Sequence, residues 1–213
     1  MTNRTLRHAA AALSVAMFAP AARSADPGSN LRADEHVILF PAAAMPSEDR
    51  GWRVAAHAWV FEKESYEHLL PALAEALGFE GEAVNVTRDP LFRERAQWFL
   101  VDNERAKRLA MRIGPDLLTL GDTGPDGHVR EMLALSVGGV AHVREAGAPR
   151  IEVISGEASA VRATAPVHLV LPKGLSIICD VDDTLKISEV RDRAALLRNT
   201  FFRDFEAAPR MPS

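Results

Sequence analysis

Leu175-Ser176-Ile177-Ile178-Cys179-Asp180-Val181-Asp182-Asp183-Thr184 is the stretch on which the reading of this chain turns. Residues 175–179 form a compact apolar run without clean alternation, the pattern of a strand covered on both faces. Three carboxylates follow within four residues. A helix-like segment then runs from about Ser188 to Phe205, with Val190, Ala194, Leu197, Phe201 and Phe205 on one stripe. Strand, acidic turn and helix in that order open an α/β domain. Only about 43 residues of it are present, too few to close a parallel sheet, and the boundary falls near residues 165–172.

In open α/β sheets reactive groups gather beyond the carboxyl ends of the strands, where Asp180, Asp182 and Asp183 stand. Crowded carboxylates raise one another's pKa unless a cation sits among them, and magnesium, with its preference for oxygen ligands, is the natural compensation. A carboxylate so held can attack phosphorus and form an acyl phosphate. A second carboxyl two residues on can serve the leaving oxygen as acid and then a water as base. Rival readings fail on counting. A calcium loop starting at Asp180 needs glycine at its sixth position and glutamate at its twelfth, where Leu185 and Arg191 stand. A cysteine phosphatase needs arginine six residues after Cys179, and Leu185 is there instead, so Cys179 is read as a buried strand thiol. Ala134-Leu135-Ser136-Val137-Gly138 lacks the first glycine of a serine-hydrolase elbow. The bland alternative, in which the aspartates only fill a turn or cap a helix, does not account for the apolar strand before them or for Thr184-Leu185-Lys186 after them.

Upstream, the chain reads as short strands between Gly, Pro and Asp turns. Strands are expected at Val37–Phe40, Trp52–Phe61, Leu117–Leu120, Val129–Leu135, Ile151–Ile154 and Val167–Val170. A helix with Pro71 in its first turn and Gly78 at its end carries Leu73, Ala74 and Leu77 inward. Residues 97–101 and 109–113 are read as two more strands. Trp52, Trp59 and Trp98 are read as core residues. The expected class is α+β: an antiparallel β-sandwich-like domain, then the first βα unit of an incomplete α/β domain.

The N-terminus carries Arg4, Arg7 and His8, an apolar run from Ala9 to Pro20, and Ala22-Arg23-Ser24. That order is a secretory signal peptide with a cut between Ser24 and Ala25, and its apolar run is too short to span a bilayer. Export to the periplasm or beyond is the expected localisation. The chain has 25 basic and 29 acidic residues. Three of the basic ones precede the cut, so the mature part carries a formal charge of −7 and makes a poor partner for nucleic acid. Cys179 is the only cysteine, so no intramolecular disulfide forms and no disulfide-linked partner is expected. None of the histidines from His36 to His168 is three or four residues from another, so no local metal pair is visible.

Residues Pro172 to Lys186 closely resemble the start of the actin-patch type of phosphatidate phosphatase, a family of the haloacid dehalogenase superfamily whose first motif is Asp-x-Asp-x-Thr. Val190, Leu196-Leu197, Asn199, Phe202 and Pro209-Arg210-Met211 are similar to its continuation. Phe40-Pro41, Trp52, Trp59, Thr123 and Gly127-His128 are more loosely similar to the sandwich that precedes its catalytic domain. The resemblance implies Asp180 as nucleophile and magnesium ligand, and Asp182 as acid/base whose carbonyl also meets the metal. Thr184 would support the turn. It implies magnesium-dependent removal of phosphate from phosphatidate or a related monoester, with peripheral membrane contact compatible with a lipid substrate. The expected division is 1–24 signal peptide, 25–34 leader, 35–168 β-rich accessory domain, and 169–213 the start of the catalytic domain.

The superfamily also needs a later Ser or Thr, a Lys and further acidic residues, and all lie beyond the first motif. Little or no activity is therefore expected of these 213 residues. The competing expectation is a non-catalytic secreted binding or structural module. It is disfavoured here because the helix after the acidic turn has no visible partner for its apolar stripe.

Overall fold

The structure, a computed structural model, describes residues 28–48, 51–63, 66–79, 83–155, 160–175 and 177–209. The expected signal peptide, its cut and the first residues of the leader lie outside the described residues. So do Ser176 and Arg210-Met211.

Among the described residues nine strands make one large, mostly antiparallel sheet: β1 (Glu35–Leu39), β2 (Ala42–Pro46), β3 (Trp52–Glu62), β4 (Asp102–Asn103), β5 (Leu109–Ile113), β6 (Asp116–Leu120), β7 (His128–Leu135), β8 (Arg150–Ser155) and β9 (Ala160–Leu169). β1 and β2 run end to end along one edge of β3, with Leu39 opposite Ala58 and Ala43 opposite Ala55. Phe40-Pro41 breaks them because proline has no N–H to give the ladder. β7 and β4 occupy the other edge of β3. β9 pairs with β2 in parallel and with β8 antiparallel, so it carries the sheet round from β1–β3 to β8, β5 and β6. The α+β class read from the sequence stands.

The inner faces of the two halves differ in size. Alternation along β2 and β3 turns Ala42, Ala44, Val54, Ala56, Ala58 and Val60 inward, all but fully buried. Leu109, Met111, Ile113, Leu120, Ile151 and Val153 fill the space opposite. Small residues on one side let large ones interdigitate from the other. Trp52 only borders this core. Trp59 lies on the outer face of β3, and Trp98 is 40% exposed, so the reading of three core tryptophans fails for these two.

The connection from β3 to β4 holds α1 (Leu70–Leu77), α2 (Ala83–Val86), α3 (Pro90–Ala96) and a 3-10 turn, Gln97–Phe99. α1 follows expectation and ends on Gly78 in the left-handed region. The strand expected at 97–101 gives way to the 3-10 turn, and the helix before that turn is α3. Asp89 caps it by accepting from the N–H groups of Leu91 and Phe92, and Pro90 enters as its first residue. α4 (Val137–Glu145) follows β7, and α5 (Arg193–Phe201) lies near the end of the chain.

α5 packs on the β3–β4 helices rather than standing alone. Phe201, Leu197 and Phe202 share a second apolar cluster with Leu70, Ala74, Val86, Phe92 and Ala96. Arg95 of α3 donates to the carbonyls of Thr200 (2.5 Å) and Arg203 (2.8 Å), satisfying groups that the end of α5 leaves open. The helix expected from Ser188 to Phe205 thus shrinks to nine residues. Val190 and Phe205 lie outside it and are 49% and 61% exposed.

The larger correction concerns the strand expected at 175–179. No strand forms there among the described residues, and Leu175, Ile177 and Ile178 are 89%, 81% and 99% exposed. A central parallel strand needs a neighbour on each edge and a layer on each face, and no described residue supplies them. Cys179 is exposed with it, so the buried-thiol reading also fails.

Two outcomes check this architecture. Phe92→Ala empties the centre of the helical cluster and is expected to cost about 3–5 kcal/mol in urea unfolding. Cys179, although read from sequence as buried, is expected to react with Ellman's reagent in the native protein as fast as in denaturant.

Candidate functional site

The acidic turn is built around Asp183. This residue takes a left-handed conformation, φ +56°, which Asp tolerates better than most side chains. Its carboxylate then accepts from three consecutive backbone N–H groups: Ser188 (2.7 Å) and Glu189 (2.6 Å) on Oδ1, and Val190 (2.9 Å) on Oδ2. These bonds hold residues 188–190 out of the following helix, which begins only after Asp192 caps Ala194 and Ala195. They also pull the Asp183 carboxyl below the ordinary aspartate range, with Val190, Glu189 and Ser188 contributing in that order.

Asp182 faces a different set of groups. Ser188 Oγ donates to its Oδ1 at 2.5 Å, and Lys186 Nζ lies 3.0 Å from the same oxygen. Both favour the carboxylate, Ser188 more than Lys186, and lower its pKa. Lys186 also lies 4.5 Å from the Phe205 ring centre, and Arg95 lies 4.2 Å from it. Buried Ser188 is fixed from behind by Asn199 of α5, whose Nδ2 donates to the Ser188 carbonyl (3.3 Å) and to Glu189 Oε2 (2.9 Å). Thr184 donates its N–H to the Val181 carbonyl at 3.4 Å, and Lys186 closes the same turn at 3.0 Å.

Asp180 is exposed, and none of the hydrogen bonds or ion pairs found among the described residues involves it. The three aspartates do not form a group with ligand oxygens within 4.8 Å of one another. Both oxygens of Asp183 already accept from N–H groups, and Asp182 holds Lys186. The described residues therefore do not assemble a magnesium site: Asp180 offers one open carboxylate, and the donor set around it is incomplete.

A group of three acidic residues does lie elsewhere. Glu35, Glu62 and Glu104 bring their oxygens within 4.8 Å of one another, but two cations already fill the space. Lys107 pairs with buried Glu35 and lies 3.2 Å from Glu104, while Arg32 pairs with Glu62 and lies 3.0 Å from Glu104 and 2.9 Å from Glu35. Burial would lower the Lys107 pKa, yet Glu35 and Glu104 outweigh it and raise it. Ser136 is likewise engaged: its hydroxyl donates to Asp116 and accepts from the Gly139 N–H at the start of α4.

Sequence spacing missed the pairing of His57 on β3 with His128 on β7. They are 71 residues apart, yet His57 Nε2 and His128 Nδ1 lie 2.9 Å from each other. Burial, then Arg130 and His128, push the His57 pKa down. The signal that could have found the pair is the strand alternation itself, which puts both rings on the outer face once β3 and β7 are neighbours.

The acidic turn makes a sign-definite prediction. A carboxyl with a depressed folded pKa contributes its full stability above the unfolded value, 3.8, and loses it as pH falls through the lower folded value. Amide exchange at Ser188, Glu189 and Val190 is thus expected to stay protected through pH 4 and to open only in stronger acid. In Asp183→Ala the same three amides are expected to exchange close to the unstructured rate at every pH.

The chain resembles a known protein over part of its length. The chain is 38% identical over 55 residues to the phosphatidate phosphatase APP1 of Saccharomyces cerevisiae, a match covering 25% of this chain and 9% of that protein. No family model and no solved structure matches. The chain is thus similar, over about a quarter of its length, to a short part of a phosphatidate phosphatase.

Proposed function

We propose that residues 169–213 begin the catalytic domain of an exported, magnesium-dependent phosphatase acting on phosphatidate or a related phosphate monoester. The observation that carries this reading is the turn locked by Asp183, which leaves the Asp180 carboxylate open while Asp182 sits two residues away beside Ser188 and Lys186. The 55-residue similarity to a phosphatidate phosphatase supports it.

On this reading an Asp180 oxygen attacks phosphorus, the bond from phosphorus to the ester oxygen breaks, and Asp182, once protonated and released from Lys186, passes its proton to the departing alcohol. Water then opens the acyl phosphate as Asp182 takes its proton, returning Asp180 and free phosphate. Magnesium belongs to the completed site. The described residues do not complete it, so no step is assigned to the ion here.

One observation favours the second reading, a non-catalytic binding or structural module. The apolar residues of α5 are covered by α1, α2 and α3, so the C-terminal segment is joined to the rest of the molecule.

The gene separates the two. Read through and beyond the codon for Ser213, the frame is expected to encode a Ser/Thr-tipped strand, a Lys and an acidic pair. The protein it specifies is expected to release phosphate from phosphatidate in detergent micelles with magnesium, and Asp180→Asn is expected to lower turnover by about a thousandfold or more. Phosphatase activity that survives Asp180→Asn removes the nucleophile assignment. A stop codon together with an inactive protein leaves the binding module.

A further inference from the structure

Beyond the acidic turn, and independently of it, the outer face of the sheet carries a second arrangement of chemistry-bearing side chains. On β3 the outward residues are Arg53, Ala55, His57, Trp59 and Phe61, and β7 places His128 opposite Trp59 and Arg130 opposite His57. His57 and His128 are therefore diagonal neighbours, and their rings meet nitrogen to nitrogen at 2.9 Å, half-buried and outside the core.

Both rings are held from the side. Phe40 stacks on His57 with centres 4.0 Å apart and planes within 9°. Trp59 stacks on His128 at 5.4 Å and 10°, and its indole N–H is fixed by Asn103 Oδ1 at 2.7 Å. The backbone presenting His128 is equally fixed. Its N–H donates to Asp126 Oδ1 (3.1 Å) and its carbonyl accepts from Gly124 (2.8 Å). The preceding Gly127, at φ +71°, lies so close to the Val60 carbonyl that a Cβ there would come within 2.4 Å of it.

We propose that His57 and His128 form a binding site for a borderline divalent transition metal, of the zinc, nickel or copper type, on the outer face of the sheet. The two nitrogens that face each other share a single N–H in the neutral pair, and a metal ion replaces that proton as the bridge. Tetrahedral coordination at about 2.0–2.1 Å per bond sets two ligand nitrogens about 3.3 Å apart. The nitrogens need to part by only a few tenths of an ångström, and each ring has to turn by about 35° so that its lone pair aims at the ion rather than along the line to the other nitrogen. Imidazole selects these ions over magnesium and calcium, which take oxygen ligands. Asp126, anchored beside His128, contributes negative charge to the site, and water fills the remaining positions. Arg130 stands on the neighbouring register position and opposes cation binding, so affinity is set by the imidazoles.

The test is titration of the metal-free protein with zinc or nickel, followed by isothermal calorimetry and by nitrogen shifts of the histidine rings. One ion is expected per chain. His57 Nε2 and His128 Nδ1 are expected to move on zinc addition while the rings of His142 and His168 do not. His57→Gln and His128→Gln are each expected to weaken binding by at least about tenfold, whereas His168→Gln leaves it unchanged and magnesium does not compete. The ring shifts read the wild type directly, so a variant that fails to fold does not obscure the result. Absence of shifts at both rings, or equal binding in both folded variants, overturns the site and leaves the pair as a cross-strand hydrogen bond. Neither outcome bears on the phosphatase reading, which the Asp180→Asn assay decides.

Discussion

The inner face of β3 constrains everything packed around it. Val54, Ala56, Ala58 and Val60 present so little bulk that the opposite half of the sheet can approach closely, and Leu109, Met111 and Ile151 take up the room. Enlarging an alanine here forces neighbours off their rotamers. The same strand's outer face carries Arg53, His57 and Trp59, so the two-residue period of one strand separates a packed core from a more polar, partly exposed face. Because β1, β2, β4 and β7 all pair with β3, its register also decides which residues of those strands meet outside.

A second constraint is electrostatic. Glu35 is fully buried at the start of β1, a position where an unpaired charge is costly. Lys107 and Arg32 remove that difficulty, and Arg162 ties the Glu35 carbonyl at 2.6 Å. Four separated parts of the chain thus converge on one corner. The cluster looks like a metal site when only its acidic members are counted, and the two cations identify it as a structural ion-pair network.

The sequence revealed the β-rich architecture because alternation is a strong local signal: β1, β3, β7 and β8 lie close to where it placed them. Asp89-Pro90 was a readable helix start that the charged, apolar mixture of 92–101 masked. β2, Ala-Ala-Ala-Met-Pro, has almost no strand character of its own and exists because β3 and β9 flank it. The segment at 175–179 shows the opposite effect: its composition asks for a central strand, yet tertiary neighbours are what make a strand. At the candidate site, the residue types and spacing of Asp180 and Asp182 were legible. The anchoring role of Asp183 was not, since it depends on three amides five to seven residues downstream, and neither was His57 with His128, joined only by strand pairing.

The contact of Arg95 with the end of α5 spans more than a hundred residues of chain. Local contacts form early and cheaply, while a closure of that length must wait for both ends to exist. β9 ends at Leu169, so the sheet holds all its strands some thirty residues before Phe201 completes the helical cluster. A chain emerging N-terminus first therefore reaches a state in which the sheet is formed while α1 and α3 still show the apolar faces reserved for α5. During synthesis, α5 is therefore the last part of the helical layer to be laid down.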